Sequence, residues 1–282
     1  MTMDLRIDHA TVASRDLERL TDAFEAAGLS PEYGGTHSND VTHMSLLGFP
    51  DGAYLELIST VDPGVESPWW DAQIRESAGP CAWAVGVDDV ADAVERLRRA
   101  GIEVDGPESM RRERPDGEAV AWDLAFLGDG EPGTTLPFLI ADRTPRERRV
   151  SLTPSVVESE LTGIDCVVLG VRDLDATVDL FQRALDCAAA FVDVISTFEA
   201  RVARFDDAPV AIAEPLAGSW LADRLDAFGP CPCAILLGTS DFDASVERFD
   251  LEEVGTWDGR RLGWPATGPE ELRRVGVIET SD

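Results

Sequence analysis

The chain has 282 residues, enough for two domains of ordinary size, and its 44% hydrophobic residues are sufficient for packed cores, which excludes global disorder. Asp and Glu number 54 against 24 cations, giving a formal net charge of −30, and every one of those cations is Arg. The acids are dispersed along the chain and the Arg residues lie among them, so no basic face is on offer to a nucleic-acid backbone.

The first strand is read over Ile7 to Ala13, with His9 in its middle. An Asp-containing turn, RDL, follows and can cap a helix by accepting its free backbone N–H groups. Two strands come next, VTHMSLLGF and AYLELIS, joined by the turn Pro50-Asp51-Gly52. A second strand–turn–helix unit starts at Cys81 to Val87, turns at DDV, and continues as VADAVERLRRAG. There Val90, Val94 and Leu97 line one helical face and Gly101 stops it. The strands of this unit are EAVAWDLAFLG and TLPFLIAD.

The order then starts again. IDHATVASRDLERLTDAFEAAGL (7–29) resembles IDCVVLGVRDLDATVDLFQRAL (164–185), and GPCAWAVGVDDVADAVERL (79–97) resembles GPCPCAILLGTSDFDASVERF (229–249). His9 falls on Cys166, Cys81 on Cys231 and Trp70 on Trp220. The chain thus contains four similar units, two in each half. Boundaries are drawn at 1–145, with a Pro- and charge-rich linker at 146–160, and at 161–282.

Four units in this order resemble the vicinal oxygen chelate superfamily, and within it the glyoxalase-like group. The resemblance rests on the I-D-H strand, on G-x-H at Gly35-Thr36-His37, on Y-L-E-L from Tyr54 to Leu57, and on P-F-x-I (Pro137 to Ile140) followed by Thr144-Pro145-Arg146. It implies an α+β fold of tandem domains, with four βαβββ modules paired into two curved mixed sheets. The second half matches the pattern poorly.

All three His of the chain, His9, His37 and His43, lie in the first module. Strand alternation puts Tyr54, Glu56 and Ile58 on one face. A carboxylate among apolar residues is costly to bury unless it is paired or metal-bound. In the resembling superfamily, a first-strand His and a fourth-strand Glu are metal ligands, and His9 and Glu56 occupy those positions. The other two ligands come from the paired module, where this chain has Cys81-Ala82-Trp83-Ala84 and Pro137-Phe138-Leu139-Ile140, with no His or Glu. His43 on a neighbouring strand, or His37 on a loop, would complete the set. Two His and one carboxylate suit Fe, Mn or Zn in the divalent state. Glu56 would then double as ligand and base.

The resemblance implies a metal-dependent lyase, isomerase or oxygenase acting on a small oxygenated metabolite. The alternative is a metal-free protein that sequesters a small molecule, with His9 and Glu56 as a hydrogen-bonded pair; a purely structural role for these residues also stands open. His37, Trp83, Trp122 and Arg143 are candidate pocket residues. Arg143 and Arg146 could grip a carboxylate bidentately, or tie the linker to the acidic surface. The odd count of five Cys, including the pair Cys231 and Cys233, reads as buried thiols of a reducing cytoplasm. No apolar run reaches the length of a membrane span. A small-molecule ligand is therefore the expected partner, and a homodimer stays open. The dispersed acidity fits a halophile, because at about 1 M salt the Debye length is roughly 3 Å and self-repulsion is screened.

Overall fold

The computed structural model describes residues 5–188 and 190–280. The first half carries strands β1 (Arg6–Ala13), β2 (Glu32–Thr36), β3 (Thr42–Gly48), β4 (Tyr54–Thr60), β5 (Gly79–Gly86), β6 (Val104–Glu113), β7 (Ala119–Leu127) and β8 (Phe138–Asp142). Its helices are α1 (Leu17–Ala26), α2 (Asp71–Arg75) and α3 (Val90–Arg99). Two short helices, α4 (Arg146–Arg149) and α5 (Pro154–Val157), lead to the second half. There the strands are β9 (Leu161–Gly170), β10 (Phe191–Ile195), β11 (Ala200–Arg204), β12 (Val210–Pro215), β13 (Cys231–Thr239), β14 (Leu251–Trp257), β15 (Arg260–Pro265) and β16 (Val275–Glu279). Its helices are α6 (Leu174–Leu185), α7 (Trp220–Phe228), α8 (Phe242–Phe249) and α9 (Glu270–Arg273).

All four Asp turns foreseen in the repeats cap helices. The side chains of Asp16, Asp89, Asp173 and Asp241 accept from the backbone N–H groups of Arg19, Asp92, Ala176 and Ala244. In α3, Val90, Val94 and Leu97 are buried as the periodicity requires, and Gly101 follows the helix at φ +79°.

The strands form two eight-stranded mixed sheets of equivalent order, β2-β3-β4-β1-β5-β8-β7-β6 and β10-β11-β12-β9-β13-β16-β15-β14. Each sheet joins its two modules through a central antiparallel pair, β1 with β5 and β9 with β13. Parallel pairs flank it, β1 with β4 and β5 with β8 in the first sheet, β9 with β12 and β13 with β16 in the second. This is the tandem vicinal oxygen chelate arrangement of α+β modules. Among the described residues, no helix is long and apolar enough to cross a membrane.

The helix-covered faces of the two sheets share one hydrophobic core, which runs from Leu20, Phe24 and Leu97 to Leu174 and Phe181. The Trp83 ring stacks parallel to Phe181, 6.3 Å away across the two halves. Trp83 is fully buried here, which removes it from the candidate pocket: on β5 its side chain points to the helix side, away from the cavity. Polar links add to the join. Arg224 donates to the carbonyl of Ala78 at 2.6 Å, and Ser14 donates to Glu271 at 3.1 Å.

Residues 146–160 connect the sheets and also pack on the first one. Val156 is fully buried, and the Gly48 N–H donates to Thr153 Oγ1 at 2.9 Å while the Thr153 N–H donates back to the Gly48 carbonyl.

The open face of the second sheet is filled by its own side chains. Phe198 sits 5.2 Å from the Trp257 ring and 5.7 Å from the Trp264 ring, over Cys166, Val168 and Val202. Strand register places Ala211 opposite Val168, just as Glu56 stands opposite Thr11. The counterpart of Glu56 is thus Ala211, one position before the Ile212 or Ala213 expected from sequence spacing.

Because Trp83 fills the seam between the halves, Trp83→Ala is expected to cost about 3–5 kcal/mol, as large-to-small changes of buried aromatics do. Urea unfolding checks this; a loss below about 1 kcal/mol would mean that the two halves do not depend on that contact.

Candidate functional site

The open face of the first sheet holds a cavity of about 380 Å³. Alternation on β3 and β4 turns Thr42, Met44 and Leu46, and Tyr54, Glu56 and Ile58, toward it. His9 enters from β1, His37 from the end of β2, and Met110, Arg112, Trp122 and Leu124 from β6 and β7. Trp69, Trp70 and Phe138 complete an aromatic wall.

The polar centre starts at an irregularity in β1. The register with β5 shifts between Ile7 and His9, which breaks the strict alternation of side chains. The neighbouring Asp8 and His9 side chains consequently meet, with His9 Nδ1 donating to Asp8 Oδ1 at 2.7 Å. In its neutral form, with the proton on Nδ1, the ring presents the Nε2 lone pair to the cavity. Tyr54, the cross-strand partner of His9, stacks on the imidazole at 4.6 Å, and Phe138 meets it edge-on at 5.2 Å. The ring is thus fixed in both orientation and tautomer.

Asp8 is itself held by two cations from the segment after β8. Arg149 reaches Asp8 through two nitrogens at 2.8 and 3.0 Å, and Asp142 through two more contacts at 2.6 and 3.0 Å. Arg149 also donates to the Tyr54 hydroxyl at 2.8 Å, and Arg146 pairs with Asp8. Burial pushes the Asp8 carboxyl up, but Arg149 and the His9 hydrogen bond outweigh it and hold the group well below the usual carboxylate range.

Glu56 is 6% exposed and lies at the meeting point of both imidazoles. His37 Nε2 donates to Oε1 at 3.0 Å, Thr11 Oγ1 donates to Oε2 at 3.2 Å, and His9 Nε2 stands 3.8 Å from Oε2. His37 Nδ1 pairs with the Thr42 hydroxyl at 2.9 Å, which fits a proton on Nε2 facing Glu56. Burial raises the Glu56 carboxyl, yet the His37 hydrogen bond, the attraction of the His37 and His9 rings in their protonated forms, and the Thr11 hydrogen bond bring it down to about 2. Glu56 is therefore an ionised acceptor at neutral pH. Burial pushes the Tyr54 phenol up, and it stays protonated.

His9, His37 and Glu56 come together as the sequence suggested, and Trp122 lines the same cavity. His43 does not join them. It lies on β3 between Thr42 and Met44, so alternation turns it to the opposite face, the face on which its neighbour Ser45 meets Thr21 of α1. Arg143 also stands apart, with its side chain more than half exposed and bonded to Ser109 at 2.8 Å and Asp123 at 3.4 Å. Arg146 makes no bidentate grip on a carboxylate: one nitrogen pairs with the chain's own Asp8 carboxylate and another donates to the Asp8 backbone carbonyl. Sequence reasoning missed Asp8, Arg112 and Arg149. The acid directly preceding a strand His was the signal available for Asp8, whereas Arg149 lay in the segment read as linker.

The set does not fit a resident metal of the kind the resemblance implies. In the register of the sheet, His9 is beside Ala84 and Ala84 beside Phe138, so the paired module offers no donor. The His37 proton occupies Glu56 Oε1, and among the described residues no group of three His, Cys, Asp or Glu side chains is arranged to hold a metal ion. All five Cys are buried and free, and none lines the cavity.

A family model described as a glyoxalase-like domain matches residues 7–185. No curated protein matches the sequence at a significant level. Among solved structures, a hypothetical protein from Staphylococcus aureus is 13% identical with a TM-score of 0.62, covering 98% of this chain and 99% of that one. A triple mutant of 4-hydroxymandelate synthase from Streptomyces coelicolor is 14% identical with a TM-score of 0.64, covering 99% of this chain and 93% of that one. A xylose isomerase-like TIM barrel/4-hydroxyphenylpyruvate dioxygenase fusion protein is 15% identical with a TM-score of 0.59, covering 100% of this chain and 49% of that one. At these identities the likeness shows the fold alone.

Two outcomes follow from the buried charges. Removing the guanidinium in Arg149→Met leaves Asp8 buried without its main partner, at an expected cost of about 3–5 kcal/mol in urea unfolding; a cost under 1 kcal/mol would contradict the described pairing. The Glu56 carboxyl is depressed in the folded state, so its stabilisation is complete above the ordinary unfolded value near 4.5 and drains away as pH falls through about 2. Unfolding free energies at pH 6, 4 and 2.5 should therefore decline less steeply in Glu56→Gln than in the unsubstituted chain; equal slopes would show that Glu56 is not held ionised.

Proposed function

The chain belongs to the glyoxalase-like domain family, and from that premise we propose that its first-half cavity binds a small, largely apolar or aromatic molecule bearing an oxygen function and moves a proton at that function, as a lyase or isomerase does. The observation that carries this reading is the Asp8–His9 pair: Nδ1 is committed to Asp8, and Nε2 faces a cavity with an ionised Glu56 3.8 Å away.

Two acceptors so close, with no hydrogen between them, suit a ligand donor such as a hydroxyl or an enol placed between the two. His9 is the general base, because its lone pair is aimed and its other nitrogen is backed by a carboxylate that stabilises the imidazolium once formed. Glu56, held ionised by its hydrogen bonds from His37 and Thr11, does not take up and release the proton at neutral pH; it orients the ligand's donor and offsets the charge that develops on His9. His37 keeps Glu56 in place through its own hydrogen bond, with Thr42 behind it. Trp69, Trp122 and Phe138 give the ligand body an apolar seat and exclude water, which strengthens each polar contact inside.

No step in this scheme needs a metal. The metal-dependent reading, with Fe, Mn or Zn on His9, His37 and Glu56, makes a different and measurable claim about composition.

The test uses p-cresol, a ring with one hydroxyl donor, as the probe, read by tryptophan fluorescence, together with metal analysis of chain purified without chelator. The expected results are saturable binding, a loss of about tenfold or more in Glu56→Gln from a missing hydrogen bond to a charged group, and far less than one metal per chain. One metal per chain that disappears in His9→Ala would replace this scheme with the metal-dependent one. No saturable response to p-cresol would remove the pocket reading altogether.

A further inference from the structure

The cavity contains a second buried guanidinium, and this one has no counter-ion. Arg112 on β6 is 7% exposed and lines the cavity. It donates to two neutral carbonyls, Gly34 at 2.7 Å and Arg149 at 3.4 Å, and among the described residues no carboxylate contacts it. Glu56 acts on it only from a distance, and burial works against its charge. Arg149 beside it shows the contrast, being met by both Asp8 and Asp142. Half-buried Arg224 also bonds carbonyls, but of the two fully enclosed arginines among the described residues, Arg149 has carboxylate partners and Arg112 has carbonyls alone. Arg does not shed its proton to escape the cost, so an anion brought in from outside the chain would be well placed to supply a partner.

We propose that the ligand supplies it: the cavity takes a small organic acid whose carboxylate pairs with Arg112. The guanidinium has five N–H donors and spends two in the contacts above, which leaves enough for a carboxylate gripped through both oxygens. One uncompensated cation matches one negative charge; the second charge of a phosphate ester would face Glu56 instead. Met110, two residues before Arg112 on β6, and its cross-strand partner Trp122 line the same cavity and favour an apolar body. The substrate class is therefore a monocarboxylic acid with an apolar or aromatic middle and a hydroxyl or enol at the end that meets His9 and Glu56.

This substrate class rests on the proposed binding role of the cavity, and the experiment separates the two. The full chain is titrated with benzoate and 4-hydroxybenzoate and with their methyl esters, read by tryptophan fluorescence and calorimetry. The acids are expected to bind at least tenfold more tightly than the esters. Arg112→Gln should abolish that preference while leaving ester binding in place, and Arg112→Lys should restore part of it. Arg112 also bridges two backbone carbonyls; should Arg112→Gln fail to fold, the acid–ester comparison in the unsubstituted chain decides alone. Esters that bind as tightly as the acids would overturn the inference. Binding of p-cresol without binding of either acid would overturn it too, while sparing the pocket itself. No response to p-cresol, acids or esters would overturn both.

Discussion

The site depends on one buried ion pair, Asp8 with Arg149. Asp8 fixes the proton of His9 on Nδ1, and Arg149 keeps Asp8 ionised so that it can do so. A buried pair of this kind is not a reliable source of stability, since desolvating two charges offsets much of their attraction. Its value here is positional. Without Arg149, burial would push the Asp8 carboxyl up and weaken it as the acceptor that orients His9, and Nε2 would be less firmly committed to the cavity. The same guanidinium bonds the Tyr54 hydroxyl, and Tyr54 supports the flat face of His9. One side chain thus governs the tautomer, the tilt and the charge balance of the centre.

Arg149 also explains why residues 146–160 are packed rather than loose. The chain leaves β8 at Asp142, turns through α4, and returns Arg146 and Arg149 to Asp8 near the start of β1. Sequence reasoning took this stretch for a linker because its prolines and charges resemble an exposed tether. Periodicity cannot reveal a buried Arg whose partner Asp8 lies 141 residues away. Similarly, β2 and β6 were missed as strands because EYGGT and VDGPESMRRE are polar, Gly-containing outer strands, the second of them largely exposed. The inner strands and the four Asp-capped helices were legible, since their alternation, helical period and caps are all local signals. His9 and Glu56 were paired through the resemblance, which puts a first-strand His and a fourth-strand Glu together. His43 could not be excluded without its register, and one residue of alternation decides which face it occupies.

The two halves share a topology but have diverged in their open faces. In the first, His9, Glu56 and Arg112 keep space and charge. In the second, Cys166 and Ala211 stand where His9 and Glu56 would be, and Phe198 with Trp257 and Trp264 fills the concavity. Such apolar packing needs no ligand to satisfy it. The second half then contributes by covering the helix side of the first, through the Trp83–Phe181 stack and the Arg224 and Glu271 links. Covering that side holds β1, β4 and β5 in place, and the site is built on those strands.

The central claim is that Asp8, backed by Arg149, fixes His9 as the Nδ1–H tautomer with a bare Nε2 facing the cavity. Nitrogen-15 NMR of histidine-labelled protein at pH 8.5 tests it most directly, with His9→Gln used to assign the signals. The account predicts a protonated Nδ1 and an unprotonated Nε2 for His9, and loss of that tautomer preference in Asp8→Asn. A His9 ring with its proton on Nε2, or one unaffected by the change at Asp8, would contradict it.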